Sequence, residues 1–155
     1  MFRRVTGIAV ALMLVQPVAG YAIAPDARSE RVQFAIGATS TVIKGQIKGY
    51  RFVDYQVRAG AGQTLSVEMK TGNASSYFNI LPPGSGAVAM FIGSTSGDRF
   101  SGLLPTDGDY AIRVYLMRNA ARRNESASFP LRVGVTGQPL AATAGGITFA
   151  RGGNA

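Results

Sequence analysis

The stretch LMRNAARRNE, residues 116–125, holds three arginines in six positions, Arg118, Arg122 and Arg123, in a chain with no histidine and no cysteine. A guanidinium is a planar fork that holds a carboxylate or phosphate through two parallel hydrogen bonds. Arg118 and Arg122 stand four apart, so a single helical turn or a compact loop would present both on one side. Each charge-assisted bond of this kind contributes about 1.5–3 kcal/mol net, so two forks could dominate a small interface. The competing reading is that the arginines only solvate a long loop between the last two strands.

The rest of the inventory removes most catalytic chemistries. Without histidine and cysteine, a histidine-dependent triad and a His/Cys zinc site are both excluded. Glycoside hydrolysis needs two carboxyl groups brought together, and Asp54, Glu68, Asp98, Asp107, Asp109 and Glu125 are scattered singly. Asp107-Gly108-Asp109 lacks the further oxygen ligands calcium requires and reads as an Asp-Gly hairpin turn. The Gly93–Gly97 stretch lacks the lysine and following helix of a phosphate-binding loop and reads as a plain loop. No catalytic residue, cofactor or metal is therefore expected, and recognition is the expected task.

Something must position the basic cluster, and the hydrophobic pattern says that strands do. Val32, Phe34 and Ile36 alternate with polar or small residues, and so do Ile43, Gly45 and Ile47. The same period of two recurs in Leu65, Val67 and Met69, in Ile112, Val114 and Leu116, and in Phe129, Leu131, Val133 and Val135. Arg113 alternates with the apolar positions of its strand, which predicts a solvated face. Pro130 cannot donate to a ladder, so the last strand is expected to begin there or to lie on an edge. Turn signals at Gly60-Ala61-Gly62, Pro82-Pro83-Gly84 and Asp107-Gly108 punctuate these runs. Eight or nine short strands without helical periodicity predict an all-β antiparallel sandwich. The stretch Ser75–Gly84 reads as a loop; if it is extended, Tyr77 and Phe78 face opposite ways.

The ends of the chain read differently. Met1-Phe2-Arg3-Arg4, an apolar run from Ile8 to Val15 and small residues at Gly20 and Ala22 have the layout of a secretory signal peptide over residues 1–22. Its apolar core is too short for a membrane span. With a mature start near Ile23, 14 basic residues face 8 acidic ones, a charge of +6 against +8 for the whole chain. Residues 23–136 then form one domain that relies on an apolar core rather than disulfides. Residues 137–155, rich in Gly and Ala, read as a mobile tail.

Two further stretches carry a resemblance. GQIKGYRFVDYQV (45–57), AGAGQTLSV (59–67) and LPTDGDYAIRV (104–114) resemble the strands of bacterial pre-peptidase C-terminal β-sandwiches. The combination of GQIKGY with RNAAR is narrower and is similar to the periplasmic inhibitors of g-type lysozyme, over about residues 31–135. That resemblance implies a lysozyme-binding surface formed by the tyrosine after the IKG turn, Tyr50, and the two arginines Arg118 and Arg122, with Asn119 between them; by its charge alone, Arg123 is expected to strengthen the local field and speed encounter. It implies a g-type lysozyme as protein partner, a periplasmic location and no catalysis. The competing reading of Tyr50 is an aromatic that caps the core at a strand start. The alternative function is a periplasmic module that binds anionic polymer or cell-wall glycan through the same basic face. Nucleic-acid binding ranks third, because basic composition alone gives only nonspecific, salt-sensitive phosphate affinity.

Overall fold

The computed structural model describes residues 27–141. Nine strands and two single-turn helices follow one another among them: β1 (Ala27–Arg31), β2 (Ser40–Lys48), β3 (Phe52–Ala59), β4 (Thr64–Met69), β5 (Ser76–Leu81), β6 (Phe91–Ile92), α1 (Gly93–Ser96), β7 (Arg99–Leu103), β8 (Gly108–Leu116), α2 (Arg118–Arg122) and β9 (Ser126–Thr136). One sheet has the order β1-β3-β8-β5-β6 and the other β2-β9-β4-β7. Val53, Tyr55 and Val57 on β3, Ile112 and Val114 on β8, and Phe78 and Ile80 on β5 share one buried cluster with Leu65, Val67, Phe129, Leu131 and Val133 of the other sheet. Every second residue of these strands points inward, so the alternation in the sequence becomes the filling of a sandwich.

Only β5 and β6 are consecutive neighbours within one sheet; every other connection among the described residues crosses between the sheets. This corrects the hairpin expected at Asp107-Gly108, which instead links β7 of one sheet to β8 of the other. Just beyond it, Tyr110 is fully buried and its hydroxyl donates to the Thr106 carbonyl at 2.7 Å. That bond back along the chain pins the crossover in the manner of a tyrosine corner.

Four further expectations are corrected. The first strand ends at Arg31: Val32 is buried and Phe34 partly so, but Ile36 is fully exposed. Between Ala35 and Ala38 the chain makes a turn, with Gly37 at φ 77°, to reach the other sheet. β1 also pairs parallel with β3, the one parallel pairing among otherwise antiparallel strands described here. Pro130 lies inside β9, a central strand. Its carbonyl accepts from Lys70 at 3.2 Å, so its nitrogen faces the β4 side, where that strand has already ended at Met69. The missing donor therefore falls at the end of one ladder and leaves the β2 ladder whole. Ser75–Gly84 contains a strand, β5, with Phe78 in the core and Tyr77 on the outside 6.5 Å from the Tyr115 ring. Gly93–Ser96 forms a helical turn rather than a plain loop, and a Cβ on Gly93 would strike the Phe78 backbone.

Part of the expected tail is docked. The Leu140 N–H donates to Ala61 at 2.7 Å and Gln63 donates to the Gly137 carbonyl at 3.0 Å. The signal peptide expected over residues 1–22, the mature start near Ile23 and residues 142–155 lie outside the described residues.

Candidate functional site

Register brings the basic cluster and Tyr50 to one end of the sandwich. β2 runs antiparallel to β9 with Lys48 opposite Ser126, so the end of β2 lies beside the start of β9. β3 runs antiparallel to β8 with Val53 opposite Val114, so the start of β3 lies beside the end of β8. The β2–β3 turn, which carries Tyr50, and the β8–β9 connection, which carries α2, are thereby neighbouring crossovers.

The sequence RNAAR determines how α2 sits. Ala120 and Ala121 are buried, while Arg118, Asn119 and Arg122 face solvent. Two small apolar residues let one helical turn press onto the core, and the arginines at its start and end are left outside. The turn is tied at both sides: the Met117 N–H donates to Ser75 at 2.9 Å and the Glu125 N–H to Ala120 at 3.2 Å. Asn124 takes φ 54°, a left-handed conformation that asparagine tolerates, and directs the chain into β9.

A second contact locks the Tyr50 turn to this connection. Gly49, at φ 60°, donates its N–H to the Glu125 carbonyl at 2.9 Å. A Cβ at position 49 would lie 2.8 Å from the Asn124 side-chain oxygen, so both the dihedral and the close approach call for glycine. Tyr50 then projects from the turn with 60% of its surface exposed, so it does not cap the core.

The three arginines are not equivalent. Arg123 donates from Nε to the Glu125 carboxylate at 2.7 Å and approaches it through Nη2 at 2.6 Å. Asn73 donates to the other oxygen of the same carboxylate at 3.0 Å. These two donors hold the Glu125 carboxyl below the usual glutamate range. Neither Arg118 nor Arg122 has an ion pair or a side-chain hydrogen bond among the described residues. Asn119 is exposed, and its side-chain oxygen accepts from the Ala120 N–H at 2.9 Å.

Arg113, expected on a solvated face, is instead an internal partner. Its Nε and Nη2 both reach Asp54 at 2.8 Å, and its guanidinium lies 4.4 Å over the Phe52 ring. The bidentate bond raises the Arg113 pKa, and the side chain is only 30% exposed. The sequence reading also missed Gly49, Asn73 and Glu125 as supports of the site. Gly49 was signalled by the glycine in IKGY, whereas nothing local marked Asn73, which lies 52 residues from its partner Glu125.

No protein-family model matches this chain. A curated relative from Escherichia coli (strain K12), an inhibitor of g-type lysozyme, is 31% identical over 104 residues, which span 66% of this chain and 77% of the relative. The chain belongs to the family of periplasmic inhibitors of g-type lysozyme. The crystal structure of the family member from Aeromonas hydrophila superimposes with a TM-score of 0.67 at 36% identity, covering 71% of this chain and 97% of that one. The Salmonella Typhimurium member gives a TM-score of 0.56 at 25% identity, covering 70% and 98%. The likeness covers nearly the whole of these inhibitors, 97% and 98% of the two chains.

Proposed function

We propose that this protein inhibits g-type lysozyme in the periplasm by inserting the α2 end of the sandwich into the enzyme's glycan cleft. The observation that carries the reading is the pair Arg118 and Arg122, outward on one helical turn and without a carboxylate of their own, beside the exposed Tyr50. A lysozyme cleft carries catalytic carboxyl groups, and a guanidinium fork can pair with them while excluding substrate. Tyr50 supplies a flat amphipathic anchor of the kind that dominates many interfaces. Asn119 lies between the forks as a further polar contact, and Arg123, held by Glu125, shapes the turn and the local field. The role is binding without catalysis and calls for no cofactor or metal. Residues 1–22 would act as the export signal.

The test is a titration of the mature protein against g-type and c-type lysozymes acting on cell walls, with an Arg118→Ala, Arg122→Ala variant alongside. Selective inhibition of the g-type enzyme, lost in the variant, is the expected result. Nanomolar inhibition that survives replacement of Tyr50, Arg118 and Arg122 by alanine would sink the site.

A further inference from the structure

The outer faces of the two sheets differ in their charge balance. On the five-stranded sheet, Arg113 is matched by Asp54, and Arg31 and Arg58 meet Asp109. On the four-stranded sheet the outward positions hold Lys44 and Lys48 of β2, Arg132 of β9 and Arg99 of β7, with Lys70 just past β4, against the single carboxylate of Glu68. Glu68 is already shared by Arg99 at 2.9 Å and Lys70 at 3.8 Å.

Register arranges these cations in two rows. Arg132, Glu68 and Arg99 lie directly across β9, β4 and β7. In the next row Lys44 stands opposite Pro130, whose carbonyl takes the Lys70 N–H. Strands lie about 4.8 Å apart and same-face rows about 7 Å apart, so these four cations, one in line with each strand, border a patch of roughly 14 by 7 Å around one shared carboxylate. Shallow depressions open on both sides of the Arg132–Glu68 row, of about 450 Å³ toward Ser66, Ser101 and Gly134 and about 190 Å³ toward Val42 and Lys70.

We propose that this face is a second binding surface, separate from the α2 end, and that its occupant is a linear glycan strand whose attached peptides bear free carboxylates. The charge excess selects an anion. The openness of the face and its spread of cations suit an extended polymer rather than a small ion. With Val42 as the one exposed large apolar side chain in this patch, it lacks the aromatic anchors of a protein interface. Such contacts are individually weak and sum along a chain, holding the protein to a carboxylate-bearing wall while the α2 end stays free. The inference stands on the sheet face alone and does not depend on the lysozyme reading.

The test is co-sedimentation of the full mature protein with purified peptidoglycan sacculi, native and with their carboxyl groups amidated, at rising salt. The wild type is expected to bind native sacculi at low salt, to lose about tenfold in affinity toward physiological salt, and to bind amidated sacculi poorly. A Lys44→Ser, Arg99→Ser, Arg132→Ser variant should lose at least about tenfold in binding, whereas Arg99→Lys with Arg132→Lys should retain it. Thermal melts establish that both variants fold, and inhibition of g-type lysozyme on a soluble oligosaccharide should be the same in all three proteins. Absence of wild-type binding, equal binding to amidated sacculi, or equal binding by the serine variant would each overturn the proposal. Loss of binding in the Arg118→Ala, Arg122→Ala variant instead would overturn it in favour of the α2 end.

Discussion

The outer face of the five-stranded sheet and α2 both display arginines, yet in different electrical company. Arg113 faces Asp54 across a fixed β3–β8 register, bonded twice at 2.8 Å and stacked on Phe52. Arg118 and Arg122 leave a helical turn and form no ion pair among the described residues. An arginine matched by its own sheet contributes to the fold; one left unmatched on a braced turn is free for a partner.

Separate substitutions should pull the two groups apart, and the largest effect belongs to α2. Arg118→Ala with Arg122→Ala should weaken inhibition by at least about a hundredfold, because two charge-assisted contacts of about 1.5–3 kcal/mol are lost. Their removal should leave stability within about 0.5 kcal/mol, as for exposed side chains without internal partners. Arg113→Ala should do the reverse. It strands the largely buried Asp54 carboxylate and should cost about 1–3 kcal/mol in urea unfolding while leaving inhibition unaltered. A stable Arg113→Ala variant that no longer inhibits would erase the distinction.

Tyr50 comes next. Tyr50→Ala should weaken inhibition by about tenfold, whereas Tyr50→Phe should keep most of it, since the ring rather than the hydroxyl supplies the contact area. Equal losses in both variants would instead make the hydroxyl the decisive group.

How much of this was legible in the sequence depends on whether the cause was local. The pattern RNAAR holds its own answer, because small residues go inward and arginines four apart go outward within a single turn. The strand alternation of Leu65, Val67 and Met69 likewise predicts their burial. Pairings decided by register were not legible. Arg113 meets Asp54 across 59 residues, and only the β3–β8 alignment places them opposite. Pro130 misled for the same reason, since its tolerance depends on β4 ending one residue short of it. The stretch Tyr77–Leu81 was hidden by flanking serines and prolines that favour a loop, although its position beside β8 makes it a core strand.

Gly49 tests whether the Tyr50 turn and α2 act as one surface. Gly49→Ala places a Cβ against Asn124 at a positive φ, which should cost about 1–2 kcal/mol of stability and displace Tyr50 from α2. Inhibition should weaken severalfold, more than the stability loss alone explains at a temperature where the variant is fully folded. An unchanged inhibition constant would show that the two crossovers contribute independently.

The smallest effect is assigned to Glu125, whose carboxylate joins Arg123 to Asn73 and whose backbone carbonyl holds Gly49. Glu125→Gln keeps the shape and removes the charge that braces Arg123, so it should speed dissociation of the lysozyme complex by about two- to threefold at neutral pH. The pH dependence follows from the sign of the shift. Arg123 and Asn73 depress the Glu125 pKa in the folded protein, so the brace is complete above the ordinary glutamate value and is lost only as pH falls through the lower folded value. The ratio of dissociation rates, variant to wild type, should therefore stay constant from neutrality down to the ordinary glutamate value. Below it the ratio should fall toward one, as wild-type Glu125 becomes protonated. Taking the ratio cancels the titration of the lysozyme itself, which is common to both complexes. A ratio of one already at neutral pH would mean that the backbone contact at Gly49 alone holds the two crossovers together.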